Sequence, residues 1–317
     1  MDSLPAPTVA GMRRWLPVVF VVMAACAADP IERGADPTGG VTTIASTTVA
    51  TTGVATASTT TIPEPAPWAV VVVGDFGTGN AAEAQVAGAI ADWVGRHPET
   101  RALVTTGDNF YTSDVAAAWE VPYGWVAAAG LPVWAVAGNH DLESPGQWVA
   151  SERAFGSFPH WRTEEVAGVT FVLLDSNQVG SAEQGAWLER TVVALAGQPW
   201  IAVFHHPVKS CSVHGSTAEV AQHWAGMLGS ARLILNGHDH NYQRFETESG
   251  WAVVTGGGGS SLHGLQPCPA ATAAPVVAAV QWHFLAITGL GDHAVATAYD
   301  VSRGVIDSFP LDLAARP

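Results

Sequence analysis

Residues 102–111 read ALVTTGDNFY. The first five residues are an apolar and β-branched run of strand length, and Gly107-Asp108 ends it. An aspartate on a loop directly after a strand suits a metal or phosphate site. Tyr111, three places later, is not explained that way, because tyrosine is seldom a metal ligand and usually packs. The same pattern of strand and then polar loop recurs along the chain. WAVVVVG (68–74) leads to Asp75, and PVWAVA (132–137) leads to Asn139 and His140. WIAVF (200–204) leads to His205 and His206, and RLIL (232–235) leads toward His238 and His240. Apolar residues at helical spacing fall at Ala81–Gly95, Ala182–Leu195 and about Ser216–Leu228. Further strands are expected at Val169–Asp175, Trp251–Thr255, Trp282–Leu290, His293–Asp300 and Val305–Leu311. Strands alternating with helices, then a run of strands, predict one layered α/β domain with a mixed pair of sheets. In such folds sites gather at the carboxyl ends of strands. Five loops, distant in sequence, should therefore converge on one edge.

Composition narrows the partners. The chain has 317 residues, 48% apolar, with 28 acidic and 13 basic side chains and a formal charge of −15. Lys209 is its one lysine. Such a chain has no field to hold a nucleic-acid backbone or an anionic membrane surface. A substrate phosphate would have to be drawn in locally, and bound metal ions supply that kind of charge.

The N-terminal part reads differently. Arg13-Arg14 precede WLPVVFVVMAAC (15–26), an apolar run too short to span as a mature helix. Residues 1–25 are expected to be a signal peptide. Met23-Ala24-Ala25-Cys26 resembles a bacterial lipoprotein processing site, which implies a lipid on Cys26; ordinary cleavage near the same alanines is the other reading. Residues 26–67 are Thr/Ala-rich, without charge from 38 to 62, and read as a flexible tether closed by Pro63, Pro65 and Pro67. The folded domain is expected over 68–317. The protein would then be exported, either secreted or held on the cell envelope. Cys211 and Cys268 remain, either as one disulfide or as two unpaired buried thiols.

Each polar loop has a bland reading by itself. Asp75 in GDFG is a common turn residue, GNHD (138–141) could cap a helix, and two adjacent histidines at 205–206 could be incidental. GHDH (237–240) is the strongest, since His238 and His240 can face one centre. Together they supply more oxygen and nitrogen ligands than one tetrahedral ion takes. They suit two ions of higher coordination sharing a carboxylate, the apparatus of phosphate ester hydrolysis.

In order and content, GDFG, GDNFY, GNHD, HHPVKS and GHDHN resemble the calcineurin-like metallophosphoesterases. That superfamily usually opens with D-x-H, and here Asp75-Phe76-Gly77 lacks the histidine. The purple acid phosphatase branch departs in the same way and places a tyrosine three residues after the bridging aspartate, where Tyr111 stands. The resemblance implies a four-layer α/β/β/α sandwich with two mixed β-sheets. It implies Asp75, Tyr111 and His240 on Fe(III), Asp108 as the bridge, and Asn139, His205 and His238 on a divalent ion (iron, zinc or manganese). His140 and His214 would face the substrate. The implied reaction is hydrolysis of small phosphate monoesters by metal-bound hydroxide, with an acidic optimum. Alternatives are a phosphodiesterase or nucleotide phosphatase on the same centre, or a non-catalytic, metal-dependent binding protein of the envelope. Asp141 is expected to support His140 or to share its turn, and Lys209 and Ser210, between His205 and His214, have a substrate contact as the lesser of two readings. His206 is expected to point away from His205, as in an extended strand, and His263 to be an ordinary loop residue.

Overall fold

The computed structural model describes residues 65–270 and 272–316. The expected leader, Cys26 and all but the end of the tether lie outside them. Strand β1 (Trp68–Val73) is the run WAVVVV, with all six residues buried. A strand covered on both faces needs no polar alternation, and its two faces meet different partners. Val70 and Val72 pack with Phe171, Val203 and Leu235. Ala69, Val71 and Val73 pack with Val86, Ile90 and Trp93 of helix α1 (Ala81–Val94).

The chain continues through β2 (Thr100–Thr105), α2 (Val121–Ala128), β3 (Val133–Trp134), α3 (Pro145–Phe155), β4 (Arg162–Val166) and β5 (Val169–Leu173). Then come α4 (Ala182–Ala194), β6 (Trp200–Val203), α5 (Ala218–Leu228), β7 (Leu233–Asn236), β8 (Tyr242–Glu246) and β9 (Trp251–Thr255). Strands β10 (Val277–Ala279), β11 (His283–Leu290), β12 (His293–Asp300) and β13 (Val305–Asp312) complete the fold. One sheet has the order β13-β12-β11-β1-β2-β3 and the other β10-β8-β9-β7-β6-β5-β4. Both are mixed. Strands β1, β2 and β3 are parallel neighbours, whereas β1, β11, β12 and β13 pair antiparallel. In the second sheet β5, β6, β7 and β9 are parallel, with antiparallel β4, β8 and β10 at the sides. The inner faces share one core. Helices α1 and α2 cover the first sheet, and α4 and α5 cover the second through Leu188, Val220 and Trp224. This is the four-layer sandwich expected of the motifs.

Several elements differ from the sequence reading. The strand expected over 132–137 stops at Trp134, because the Val136 N–H donates to Thr105 Oγ1 and leaves the ladder. Helix α3 is absent from that reading, although Ser144-Pro-Gly-Gln147 carries its start. The Ser144 hydroxyl caps the Gln147 N–H, and proline occupies the first turn. Strands β4 and β8 are hidden in the sequence too. RTEEV is an edge strand with alternating exposed residues, and YQRFE buries Gln243 and Arg244. Cys211 and Cys268 form a disulfide with Cα atoms 4.6 Å apart.

Glu83, in the first turn of α1, is fully buried. Its Oε2 accepts the Gly79 N–H at 2.6 Å, while Oε1 has no partner among the described residues. Burial pushes its carboxyl up from 4.5 to about 7, against those donors. The folded chain therefore binds this proton more tightly than the unfolded chain. The stabilising contribution is full below the ordinary value and is lost as pH rises through about 7. Thermal unfolding should show lower stability at pH 8 than at pH 5, with Glu83 responsible for up to about 3 kcal/mol. Glu83→Gln should flatten that difference; an unaltered pH dependence in the variant would assign it to other groups.

Candidate metal centre

The five loops follow β1, β2, β3, β6 and β7 and meet at one edge. Their backbone is unusual where the chemistry is. Asp75, Asp108 and His238 have φ of 58°, 49° and 70°, a region that non-glycine residues enter at a cost. Two glycines make room for the carboxylates. A Cβ on Gly138 would collide with the Asp108 carboxylate, and one on Gly237 would collide with Asp75 Oδ2. The glycines of GNHD and GHDH are thus explained by close approach.

Asp75 and Asp108 are buried, at 0% and 1% exposure. Asp75 accepts the His238 N–H at 2.9 Å, and its Oδ1 lies 3.4 Å from His240 Nε2. Asp108 Oδ1 accepts the His140 N–H at 2.8 Å. Its Oδ2 lies 3.1 Å from the Tyr111 hydroxyl and 3.3 Å from His205 Nε2. The same hydroxyl lies 3.0 Å from His240 Nε2. His205 Nε2 also sits 3.1 Å from Asn139 Oδ1 and 3.2 Å from His238 Nδ1. All seven expected ligands therefore form one connected cluster. Two three-residue groups in it have metal-ligand spacing, Asp75–Asp108–His240 and Asp108–His205–His238, and Asp108 belongs to both.

The ring orientations are set from behind. His205 Nδ1 contacts the Thr106 carbonyl at 2.9 Å, and His240 Nδ1 contacts the Ser261 carbonyl at 2.7 Å. A carbonyl only accepts, so each Nδ1 carries a proton, and in the neutral ring the Nε2 lone pair faces the cluster. Burial opposes charge on His205, but Asp108 and Asp75 outweigh it and hold the ring up at about 9. Burial also opposes charge on Asp108, and His205 holds that carboxyl well below its ordinary range. Burial, with Asp75 and Asp108 nearby, pushes the Tyr111 phenol far above its usual value. Burial and the neighbouring His205 push His238 down to about 2. Among the described residues the ion-pair partners of Asp75 and Asp108 are histidines. Buried carboxylates, a phenol and neutral imidazole lone pairs without Lys or Arg among them fit cations, which would displace the His205 proton.

His140 and His214 lie at the mouth. The His140 ring is 4.5 Å from that of Tyr111, and its Nδ1 is 2.6 Å from Glu143 Oε2. His214 is exposed, with its ring 4.2 Å from that of His238. Other residues depart from expectation. Asp141 reaches beyond the His140 turn; it is a fully buried hub between two site loops. Its carboxylate accepts the N–H groups of Asn109, Phe110 and Gly138 and the Ser151 hydroxyl. His206 faces the cluster, 4.6 Å from His238 ring to ring, because the chain bends at 205–206 instead of continuing extended. Lys209 turns away to the Glu246 carbonyl, and Ser210 is buried against Asp239, so neither lines the mouth. His263 is no ordinary loop residue: its ring stacks on His240 at 3.8 Å. No motif marks it, since the loop that brings it is held by the disulfide.

Residues 69–242 match the family described as calcineurin-like phosphoesterase. Among curated proteins, the chain is 26% identical over 229 residues to purple acid phosphatase 4 of Arabidopsis thaliana, covering 60% of this chain and 67% of that one. It is 25% identical over 199 residues to tartrate-resistant acid phosphatase type 5 of Mus musculus, covering 50% and 61%. Among solved structures it is similar to purple acid phosphatase PPD1 from yellow lupin seeds, with a TM-score of 0.68 at 17% identity over 78% of this chain and 54% of that one. GAP50 of Plasmodium, described as the anchor in the inner membrane complex, gives 0.65 at 15% identity over 79% and 90%. At these identities the structural likeness is one of fold. The matched stretch runs from the first strand to the loop after GHDH and carries every converging loop, and on that ground the chain belongs to the calcineurin-like phosphoesterase family.

Proposed function

We propose that the protein hydrolyses small phosphate monoesters at a dinuclear Fe(III)–M(II) centre, with iron, zinc or manganese as M. The observation that carries this reading is the position of Tyr111. Its hydroxyl lies between Asp108 Oδ2 and His240 Nε2, where the GDFG loop offers no histidine. Asp75, Tyr111 and His240 would hold the ferric ion, and Asn139, His205 and His238 the divalent ion, with Asp108 shared. The pair supplies Lewis acidity to the phosphoryl group and lowers the pKa of water. The chain's own part is to fix the ligands and to meet the substrate. Carbonyls behind His205 and His240 keep each Nε2 aimed into the cluster. His140, beside Tyr111, and His214, beside His238, would donate hydrogen bonds to phosphoryl oxygens and a proton to the leaving alkoxide. A purely metal-holding envelope protein has no use for His140 there.

Three measurements on purified, metal-loaded protein test the proposal. Model monoesters should be turned over faster than model diesters; the reverse order would favour a phosphodiesterase. The activity profile should peak below neutrality, because a ferric ion acidifies water more than a divalent ion does. The protein should show a visible phenolate-to-ferric absorption that Tyr111→Phe abolishes. A colourless, fully active zinc protein would sink the ferric assignment. We place the enzyme outside the cytoplasm, lipid-anchored at Cys26 or secreted, on the N-terminal sequence pattern; cell fractionation with Cys26→Ala decides between anchored and free.

A further inference from the structure

A third group with ligand spacing lies beside the two that share Asp108. His214, Asp239 and His263 each offer one donor atom, and these atoms lie within 4.8 Å of one another. They come from three segments, two of which are clipped together beneath the group. The Cys211–Cys268 disulfide joins those segments, and Ser212 and Leu265 form a bridge between them. The Gln266 N–H donates to the Cys211 carbonyl at 2.9 Å, and the Ser212 hydroxyl donates to the Gly264 carbonyl at 3.1 Å. Asn241, two residues after Asp239, ties the third segment to both, because its Nδ2 donates to Ser212 Oγ and to the His263 carbonyl.

The donor atoms are aimed as well as gathered. Asp239 is fully buried, and its carboxylate is fixed by the Ser210 hydroxyl and by the His214 N–H at 3.1 Å. His263 Nδ1 accepts the His240 N–H at 3.2 Å, so it carries a lone pair and not a proton. That atom faces Asp239 Oδ1 across 3.6 Å. Two lone-pair atoms at this separation repel each other, and a divalent ion at about 2.0–2.2 Å from each would fit between them. The exposed His214 ring closes the third side, 5.1 Å from that of His263.

We infer that His214, Asp239 and His263 form a third cation site, open to solvent, for a borderline divalent ion such as zinc. Two imidazoles and a carboxylate with a free position are a donor set that zinc accepts. Binding would exchange the His240 N–H at His263 Nδ1 for the ion. It would also take His214 away from the phosphoryl group, so excess zinc should inhibit turnover. That consequence, unlike the site itself, rests on the phosphatase reading.

The experiment is a zinc titration of the holoprotein, followed by calorimetry and by metal analysis after equilibrium dialysis. One further equivalent should bind more weakly than the first two. His214→Ala and His263→Ala should each weaken it about tenfold or more. No third equivalent at millimolar zinc, or one that both variants leave unchanged, overturns the site. Three bound equivalents without phosphoester turnover would keep this site and remove the phosphatase reading. Turnover with only two equivalents would do the reverse.

Discussion

On the proposed dinuclear reading, Asp108→Asn is expected to strip the centre of both cations and with them the phosphoesterase activity, while leaving the sandwich folded. Asp108 is the one residue common to both ligand groups. Asparagine keeps the shape but removes the charge and turns an acceptor into an N–H donor. That donor would face the Tyr111 hydroxyl or His205 Nε2, both of which now lie against Asp108 Oδ2. Loss of a supporting partner costs about 10–100-fold in metal affinity. A directly shared ligand should cost at least that for each ion, so activity at limiting metal should fall by more than about 10³-fold. Elemental analysis reads the cations directly. A second readout needs no metal. Asp108 is what holds His205 up at about 9 against burial, so the His205 pKa should fall in the metal-free variant, as followed by NMR titration. A variant that keeps both ions and stays within about tenfold of the parent activity would remove Asp108 from the bridging role.

The converging loops were legible because parallel strands buried on both faces are nearly continuous apolar runs. In β1, β2, β6 and β7 such a run ends abruptly in Asp or His, and the break is visible without any structure. Tyr111 was legible only through what GDFG lacks. The less visible parts share a cause: their role is set by contacts made far away in sequence. His263 reaches His240 because Cys268 is tied to Cys211. Asp141 looks like a turn residue beside His140, yet its donors at Asn109 and Phe110 lie across another loop. His206 turns toward the cluster because the chain bends at 205–206, and nothing in an apolar run marks where it stops being extended. Strand β8 gives no apolar signal, since Gln243 and Arg244 are buried by virtue of partners, not hydrophobicity.

Asp307→Ala is expected to produce the largest loss of stability. Arg244 on β8 and Asp307 on β13 are both nearly buried and join the two sheets, at 2.6 Å from Nε to Oδ2 and 3.2 Å from the guanidinium to Oδ1. The Tyr242 hydroxyl donates to the same carboxylate at 2.8 Å. The guanidinium lies between the Trp251 and Phe309 rings, 4.3 and 4.7 Å from their centroids. Removing the carboxylate leaves a buried charge with no counterion, which costs about 3–5 kcal/mol. For a domain of this size that lowers Tm by roughly 10 °C. The pair is not thereby a net stabiliser. Desolvating both charges is expensive, so Arg244→Met combined with Asp307→Leu should recover most of the loss. Differential scanning calorimetry of the single and double variants separates the two effects. Because Tyr242 follows His240 by two residues, the single variant should also loosen the loop that carries His238 and His240. Its metal affinity should therefore fall along with Tm, and the double variant, which still leaves the Tyr242 hydroxyl without an acceptor, should restore Tm more fully than affinity. Equal recovery of both would mean that the ion pair, and not Tyr242, anchors the loop.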